Sequence, residues 1–196
     1  LVFDEVITGV GRTGQPFAAQ SFGVTPDIIT MAKAITNGAQ PMGAVAVSER
    51  IHDTIMGAGA DGAIEFFHGY TYSGHPASCA AGIATLDIYR KEDLFARGRT
   101  LSPYFQDAIF GLKDLAVVAD IRGYGMMAAI DVHADGAPGK RGHLLQKKLF
   151  DNGLHLKTTG DCAILAPPLI ADTPQFEEIH DVLRGVLTDA WSRVHG

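Results

Sequence analysis

The first 75 residues contain short apolar runs separated by glycine-rich turns, and this pattern limits the possible folds more than any other feature of the chain. The runs are LVFDEVITG, DIITMAK and MGAVAVS, followed by EFFHGYTYSGHP. Because they do not alternate polar with apolar residues, they are typical of strands buried on both faces of a mostly parallel sheet. We therefore predict an α/β fold for this part of the chain.

Two charged residues belong to these apolar runs. Asp4 lies inside the first run and Lys33 lies at the end of the second, 29 positions later. A buried charge is costly unless it is paired or takes part in chemistry. A lysine can form a Schiff base with a carbonyl cofactor, and a carboxylate can keep a pyridine nitrogen protonated. We predict that both groups are buried and form a site for pyridoxal phosphate.

Composition and charge exclude several other classes of protein. The 196 residues are 46% hydrophobic, which is enough for a real core. A formal charge of -6 and a pI near 5.7 argue against nucleic-acid binding. No apolar run reaches about 18 residues and no leader pattern precedes the first strand, so we expect a soluble, cytoplasmic protein that does not bind a membrane.

Cys79 and Cys162 are expected to be reduced thiols in the core, and the histidines lack metal-binding spacing.

The remaining sequence predicts helices and a second, smaller α+β domain. Pro76 is expected to open a long helix, and Ser102 with Pro103 a second one. Beyond them we predict two strands in VVADIRGYGMMAAIDV, a helix in GHLLQKKLFDNG, a hairpin in LHLKTTGDCAILAPPL and a last helix that starts at Thr173 and Pro174. We place the two domains at residues 1–102 and 103–196.

Gly9, Gly11 and Gly14 match the G-x-G-x-x-G pattern of dinucleotide-binding proteins. The context does not fit, because no long helix follows and no acidic residue lies about 20 positions further on. We interpret these glycines as a turn with Arg12 and Thr13 as its polar contacts.

Three consecutive segments resemble the class III pyridoxal-phosphate-dependent aminotransferases. They are FDEVITGVGRTG, PDIITMAKAITNGAQPMGAVAVS and FFHGYTYSGHPASCAAG. Within that family, HGYTYSGHP and the later TTGD and APPL segments are most similar to the omega-amino acid:pyruvate branch, which includes beta-alanine:pyruvate aminotransferases. The resemblance implies the type I fold of pyridoxal-phosphate-dependent transferases. This chain would supply the C-terminal half of the large domain and the small α+β C-terminal domain.

The resemblance also implies roles for particular residues. Asp4 would pair with the pyridine nitrogen of pyridoxal 5'-phosphate, and Val6 would pack against the ring. Lys33 would hold the cofactor covalently and carry a proton during the reaction. Thr71 would bind the cofactor phosphate in the partner subunit of a homodimer, with Tyr70 beside it.

The sequence departs from the family pattern in two ways. Relatives commonly have an arginine for the substrate carboxylate where this chain has Lys157, and lysine keeps the charge without the bidentate fork. An exposed hairpin lysine is the alternative interpretation of Lys157. The family's upstream segments, with the phosphate loop and the aromatic residue that stacks on the cofactor, are absent from the sequence. We therefore expect the C-terminal portion of a longer enzyme, inactive by itself, in which residues 1–100 expose apolar surface.

The function implied is transfer of an amino group from an omega-amino acid or amine, such as beta-alanine, to pyruvate. The partners would be a small-molecule amino donor and a keto acid acceptor. A 4-aminobutyrate-type transaminase and an aminomutase of the same class stay open as alternatives, as does a fragment without catalysis.

Overall fold

The structure is a computed structural model that describes residues 1–59, 68 and 70–195. Its strands are β1 (Val2–Asp4), β2 (Ile28–Met31), β3 (Ala44–Val47), β4 (Val118–Tyr124), β5 (Met127–Val132), β6 (Lys157–Thr159) and β7 (Cys162–Leu165). Its α-helices are α1 (Ala18–Ser21), α2 (Glu49–Gly57), α3 (Pro76–Lys91), α4 (Leu94–Phe110), α5 (Lys140–Asp151) and α6 (Thr173–His195), and a single 3-10 turn spans Lys33–Ile35.

Backbone packing divides the chain into two compact units, Leu1–Phe95 and Ala96–Gly196. The predicted boundary after residue 102 falls inside α4. That the large domain of the family ends at residue 102 and the small domain begins at residue 103 stays a prediction. Within the described residues, no helix is both long enough and apolar enough to span a membrane.

The first unit contains a three-stranded sheet in the order β1, β2, β3. β1 and β2 are parallel, and the segment that joins them contains α1. β3 runs antiparallel to β2, so the mostly parallel arrangement predicted from the sequence does not extend to it. The reason is the connection, because a parallel return needs a crossover, usually an α-helix, and only one 3-10 turn lies between β2 and β3.

The second unit contains a four-stranded antiparallel sheet in the order β4, β5, β7, β6. Along β5 the residues alternate between half-buried and buried, with Ala128, Ile130 and Val132 inside. Phe105 of α4 and Phe176 of α6 pack against each other with 5.5 Å between ring centroids, and both are fully buried. The second unit therefore has a hydrophobic core of its own.

Most elements predicted after residue 75 are confirmed. The helix from Pro76, the two strands around Gly123 and Gly125, α5, the hairpin with Gly160 and Asp161 in its turn, and the helix from Thr173 all occur. The predicted helix start at Ser102 and Pro103 is wrong, because α4 begins eight residues before Ser102, at Leu94. Pro103 lies inside α4, where burial of Phe105 and Ile109 on one face maintains the helix despite the missing proline N–H.

Part of one predicted strand lies outside the described residues. The segment EFFHGYTYSGHP begins at position 65, and residues 60–67 and 69 are not described. From Thr71 to Gly74 the chain forms a turn in which the N–H of Ser73 donates to the carbonyl of Tyr70 at 2.9 Å. The described end of this segment is therefore a turn that leads into α3.

Candidate active site

Asp4 and Lys33 lie at the same edge of the first sheet. Asp4 is the last residue of β1 and is in register with Thr30 of β2, and Lys33 follows the end of β2 by two residues. Because β1 and β2 are parallel, both residues are at the carboxyl edge, where ligands of open α/β sheets bind. The structure thus places the lysine and the aspartate that the sequence singled out at one edge of the sheet.

The Asp4 carboxylate has two local donors on one oxygen. Its Oδ1 accepts a hydrogen bond from the N–H of Val6 at 3.0 Å and one from Thr30 Oγ1 at 3.3 Å. The bond from Val6 closes an Asx turn that ends the strand. Val6 therefore lies in a turn and does not continue β1. Its proposed contact with a cofactor ring stays a prediction.

Asp4 and Lys33 are both exposed, so the prediction that they are buried charges is wrong. The strands that carry them are at most half-buried, whereas the sequence predicted burial on both faces. The two charged groups therefore stay hydrated, so the fold does not pay the free-energy cost of burying a charge.

Lys33 has an unusual backbone conformation. Its φ angle is 47°, in the left-handed region that non-glycine residues seldom adopt, and Asn37 four residues later has a φ of 48°. Residues whose backbone is held in this region cluster at functional sites, where the surrounding structure maintains the conformation. The conformation turns the chain sharply just after β2, at the point where the amine is attached.

Contacts from α3 fix the loop that follows Lys33. The hydroxyl of Ser78 donates to the carbonyl of Pro41 at 3.0 Å. A Cβ on Gly82 would lie 3.6 Å from the carbonyl oxygen of Ile35, so the helix approaches the 3-10 turn closely. The Thr36 hydroxyl also donates to the carbonyl of Gln40 at 2.7 Å. The small residues of α3 therefore determine the path of the chain beyond the lysine.

A buried tyrosine joins three segments around this loop. Tyr89 of α3 is 5% exposed and forms a hydrogen bond with the side chain of Asn37. Burial raises the pKa of Tyr89. The positive charge of Arg12 and the hydrogen bond to Asn37 oppose this shift, because both lower the pKa of the tyrosine. Burial also lowers the pKa of Arg12 from its ordinary value. Arg12 and Tyr89 thus connect the turn after β1 with the loop after Lys33.

The turn that contains Arg12 agrees with the interpretation of its glycines. Gly11 and Gly14 have φ angles of 104° and 80°, and the N–H of Gly14 donates to the carbonyl of Gly11 at 2.9 Å. A Cβ on Gly9 would lie 2.6 Å from the carbonyl oxygen of Glu5, so this position requires glycine. Thr13 accepts a hydrogen bond from the Ser21 hydroxyl at 2.7 Å.

Glu5 is a buried carboxylate that the sequence analysis missed. It is 1% exposed and accepts hydrogen bonds from the N–H groups of Ala18 at 3.0 Å and Ala19 at 2.8 Å. The hydroxyl of Thr8 is a third donor. Glu5 therefore satisfies the N-terminal N–H groups of α1 from a distant position in the sequence. The only signal in the sequence is an acidic residue at the end of a strand. Asp4 gives the same signal one position earlier, and the sequence analysis assigned it to Asp4 alone.

Tyr70 and Thr71 lie in a separate groove of about 870 Å³. The other residues that line it come from the start of β3, from the loop before β3 and from the beginning of α3; they are Pro41, Met42, Gly43, Ala44, Val45, Tyr72, Ser73, Gly74, His75, Ser78 and Cys79. Asp4 and Lys33 are not among them. Ala44 at the start of β3 is in register with Met31 at the end of β2, so this groove adjoins the edge of the sheet that carries Lys33. The role of Thr71 at the cofactor phosphate of a partner subunit stays a prediction.

Lys157 belongs to the second unit, as the first residue of β6. It is exposed, and it lines a shallow hollow of about 340 Å³ together with Leu156, Ile164 and Pro168. Both interpretations of Lys157 include exposure, so this position alone does not separate them.

The sequence also singled out cysteines and histidines. Cys79 and Cys162 are free thiols, and both are half-buried. In the part of the chain that the structure describes, no group of three or more histidine, cysteine, aspartate and glutamate side chains could hold a metal ion.

A sheet edge with a lysine after one strand and a carboxylate at the end of its parallel neighbour is compatible with a Schiff-base site in an α/β protein, and comparisons with known proteins specify the family. The family model described as aminotransferase class-III matches residues 1–187. The chain therefore belongs to the class III aminotransferase family.

Individual relatives agree with this assignment. The chain is 52% identical to omega-aminotransferase of Caulobacter vibrioides over 188 residues, which are 95% of this chain and 43% of that protein. It is 42% identical to beta-alanine--pyruvate aminotransferase of Pseudomonas aeruginosa over 185 residues, 93% of this chain and 41% of that protein. The chain thus spans about two fifths of the length of these relatives.

The fold comparison confirms the predicted fold class. A crystal structure of a thermostable (S)-enantioselective omega-transaminase from Thermomicrobium roseum superposes with a TM-score of 0.87 at 36% sequence identity. The match covers 97% of this chain and 43% of that one. The chain therefore has the fold of the corresponding part of a transaminase.

Proposed function

We propose that this chain is the lysine-bearing part of an omega-aminotransferase that moves an amino group from an omega-amino acid or amine to pyruvate. The observation that carries the proposal is the placement of Asp4 and Lys33 at one carboxyl edge of the parallel pair β1 and β2. The similarity to an omega-aminotransferase and to a beta-alanine--pyruvate aminotransferase supports the choice of substrates.

The groups at this edge fit pyridoxal phosphate. Lys33 has an exposed amine that can condense with an aldehyde. Both hydrogen bonds to the Asp4 carboxylate are accepted by Oδ1, and no bond to Oδ2 occurs within the described part of the chain. That oxygen can accept a hydrogen bond from a protonated pyridine nitrogen, while Val6 and Thr30 keep the carboxylate oriented.

When bound, pyridoxal phosphate supplies an electron-withdrawing ring that stabilises negative charge on the carbon that loses its proton. Asp4 would contribute by keeping the proton on the pyridine nitrogen, since its negative charge would stabilise that proton. Lys33 would contribute through Nζ, which would hold the cofactor at rest. Once the substrate has displaced it, the same amine would take the proton from the carbon that bears the amino group and pass it on instead of returning it to that carbon. The loop contacts from α3 keep the attachment point of Lys33 fixed during these steps.

Thr71 and Tyr70 are proposed to serve the second subunit of a homodimer. They line a groove that Asp4 and Lys33 do not line. A phosphate needs hydroxyl and N–H donors, and Thr71 has both. In a symmetric dimer the same groove on each subunit would complete the other subunit's site.

Acceptor choice tests this function against its nearest alternatives. The complete enzyme is assayed with beta-alanine as donor, and alanine formed from pyruvate is compared with glutamate formed from 2-oxoglutarate. We expect a clear preference for pyruvate, and none of this activity in the Lys33→Ala variant. A preference for 2-oxoglutarate would favour a 4-aminobutyrate-type transaminase, and isomerisation of an amino acid without any acceptor would favour an aminomutase.

A further inference from the structure

We propose that Gln146 of α5 is a positioning residue that holds Lys157 in place to bind the carboxylate of the substrate. This inference rests on the proposed function and on the prediction from the sequence that Lys157 takes the place of the family's carboxylate-binding arginine. It assigns a specificity role to a residue that touches neither substrate nor cofactor.

The amide of Gln146 bonds to both sequence neighbours of Lys157. Its Nε2 donates to the carbonyl of Leu156 at 3.3 Å. Its Oε1 accepts a hydrogen bond from the hydroxyl of Thr158 at 2.9 Å. One side chain of α5 therefore fixes the backbone immediately before Lys157 and the side chain immediately after it.

The chemistry of the two partners determines the orientation of the amide. The Leu156 carbonyl can only accept, so the NH₂ group of Gln146 must face it, and the amide oxygen then faces Thr158. Successive side chains of a strand point to opposite faces. Because Thr158 points toward α5, Lys157 points away from it, which agrees with the exposure of Lys157.

A second attachment fixes the other end of the same hairpin. The carboxylate of Asp161, in the turn between β6 and β7, accepts hydrogen bonds from the N–H groups of Gly139 and Gly142 at 2.9 Å each. These N–H groups are at the start of α5. The hairpin is thus held against α5 at its turn by Asp161 and at the start of β6 by Gln146.

This attachment compensates for the weaker geometry of a lysine. An ammonium group is a point charge on a flexible four-carbon stem, whereas arginine presents a rigid planar fork. With lysine at this position, the backbone that carries the side chain must fix where the ammonium group lies. Gln146 fixes that backbone, because it restrains the residues on both sides of Lys157.

The test uses the complete holoenzyme with an arylalkylamine donor that has no carboxylate. Pyruvate is compared with propanal, an acceptor of similar length without a carboxylate. We expect Gln146→Leu and Thr158→Val to raise the KM for pyruvate about three- to tenfold, the range given by loss of one or two hydrogen bonds. The kcat for pyruvate and both constants for propanal should stay near wild type. Lys157→Met should raise the KM for pyruvate further and leave propanal unchanged.

Matched variants separate positioning from general stability. Gln175→Leu removes an amide that bonds to the N–H of Asp172 next to α6, and Thr188→Val removes a hydroxyl that bonds to Arg184 in α6. Both should leave the ratio of pyruvate to propanal activity unchanged. If Gln146→Leu does not fold, Thr158→Val decides the matter, because valine keeps the shape of threonine and suits a strand.

Two outcomes overturn the proposal in different ways. If Lys157→Met discriminates against pyruvate but Gln146→Leu and Thr158→Val do not, or impair propanal equally, then Gln146 does not position Lys157 and the proposed function stands. If Lys157→Met treats both acceptors alike, Lys157 does not bind the carboxylate, and the role of Gln146 fails together with that part of the proposed function.

Discussion

Asp4 uses one oxygen of its carboxylate to hold the turn that ends β1. Oδ1 accepts hydrogen bonds from Val6 and Thr30, and this orients the carboxylate at the end of β1. A short polar side chain that is bonded to its own turn loses little further freedom when a ligand binds. At the scale of a single residue, Asp4 is therefore already oriented for a cationic partner.

The Asp4→Asn variant of the complete enzyme tests this role. An amide has the shape of the carboxylate but not its charge, so the pyridine nitrogen would lose the group that keeps it protonated. We expect activity to fall by at least about 100-fold while cofactor stays bound, because the lost interaction matters most in the transition state. Steady-state rates and cofactor absorbance measure both effects.

Asp87→Asn is the matched control for this change. Asp87 lies on the exposed surface of α3, where it pairs with Arg90 at 3.1 Å. Surface ion pairs of this kind contribute little, so this variant should be as active as wild type. A near wild-type rate in Asp4→Asn would contradict the proposed role of Asp4.

The sequence predicted some features of this site for physical reasons and could not predict others. Charges in apolar runs identified Asp4 and Lys33, and parallel pairing then placed them at one edge. Their exposure was not predictable, because apolar composition does not show whether a strand has a cover. The role of Glu5 depends on α1, which lies 13 residues away, and only the tertiary fold brings the two together.

At the scale of elements, α5 and the β6–β7 hairpin form a tightly packed pair. A Cβ on Gly142 would lie 1.9 Å from the carbonyl oxygen of Gly160, which leaves no room for a larger residue. Gly160 itself adopts a φ of 58° in the turn. Glycine at position 142 therefore permits the close approach that allows Asp161 to reach the start of the helix.

Gly142→Ala should destabilise the second unit by about 1–3 kcal/mol, the usual cost of forcing extra atoms into a packed site. Gly185→Ala on α6 is the control, because nothing lies within 4 Å of its Cβ position. That control should be neutral or stabilising by about 0.5–1 kcal/mol, since alanine favours helix over glycine. Urea unfolding followed by circular dichroism measures both, and equal stabilities for the two variants would contradict the close packing at Gly142.

Asp161 makes the stability of this pair depend on pH. Backbone N–H donors at Gly139 and Gly142 lower the pKa of Asp161 below its ordinary value. The carboxylate therefore contributes stability above the unfolded pKa of about 3.9, and this is lost as the pH falls through the lower folded pKa.

Asp161→Asn should remove about 1 kcal/mol of stability at pH 7, because the carboxylate accepts one N–H bond on each of two oxygens and the amide has a single acceptor oxygen. The difference from wild type should shrink as the pH falls below about 4, where the wild-type carboxylate also becomes neutral. Unfolding midpoints of both proteins between pH 7 and pH 3 provide the measurement. A difference that stays constant over this range would show that the charge of Asp161 does not contribute.

The helices and the hairpin of the second unit show which sequence signals predict the bounds of an element. The helix α5, the start of α6 at Thr173 and the glycine turn of the hairpin depend on local signals, and all three predictions are confirmed. Ser102 and Pro103 form an equally good local signal, yet they lie inside α4. Burial of Phe105 and Ile109 outweighs the lost proline hydrogen bond there, and burial is not a local property.

At the scale of the whole molecule, the two units differ in how well they cover their apolar residues. The second unit contains fully buried side chains such as Phe105, Ile130 and Leu183. The first unit exposes apolar side chains on β3 and α3, among them Val45 at 64% and Ile83 at 63%. The prediction that residues 1–100 expose apolar surface is thus confirmed for the described residues. Such surfaces mark sites of contact with other protein.

These exposed surfaces lead to a prediction for the 196-residue chain by itself. It should bind pyridoxal phosphate weakly and show no transamination of beta-alanine with pyruvate, because the edge with Asp4 and Lys33 is open to water. Titration of the purified chain with cofactor, followed by absorbance and an alanine assay, provides the measurement. Tight stoichiometric binding with turnover would contradict the interpretation of this chain as an incomplete site.

The most direct test of the central claim identifies the lysine that holds the cofactor. The complete enzyme is loaded with pyridoxal phosphate and reduced with borohydride, which fixes the cofactor to the amine that carries it, and the digested protein is analysed by mass spectrometry. We predict that the label is recovered on the peptide that contains Lys33, and that Lys157→Met does not alter this result. Recovery of the label on Lys157 or on another lysine, or on no lysine, would contradict the account.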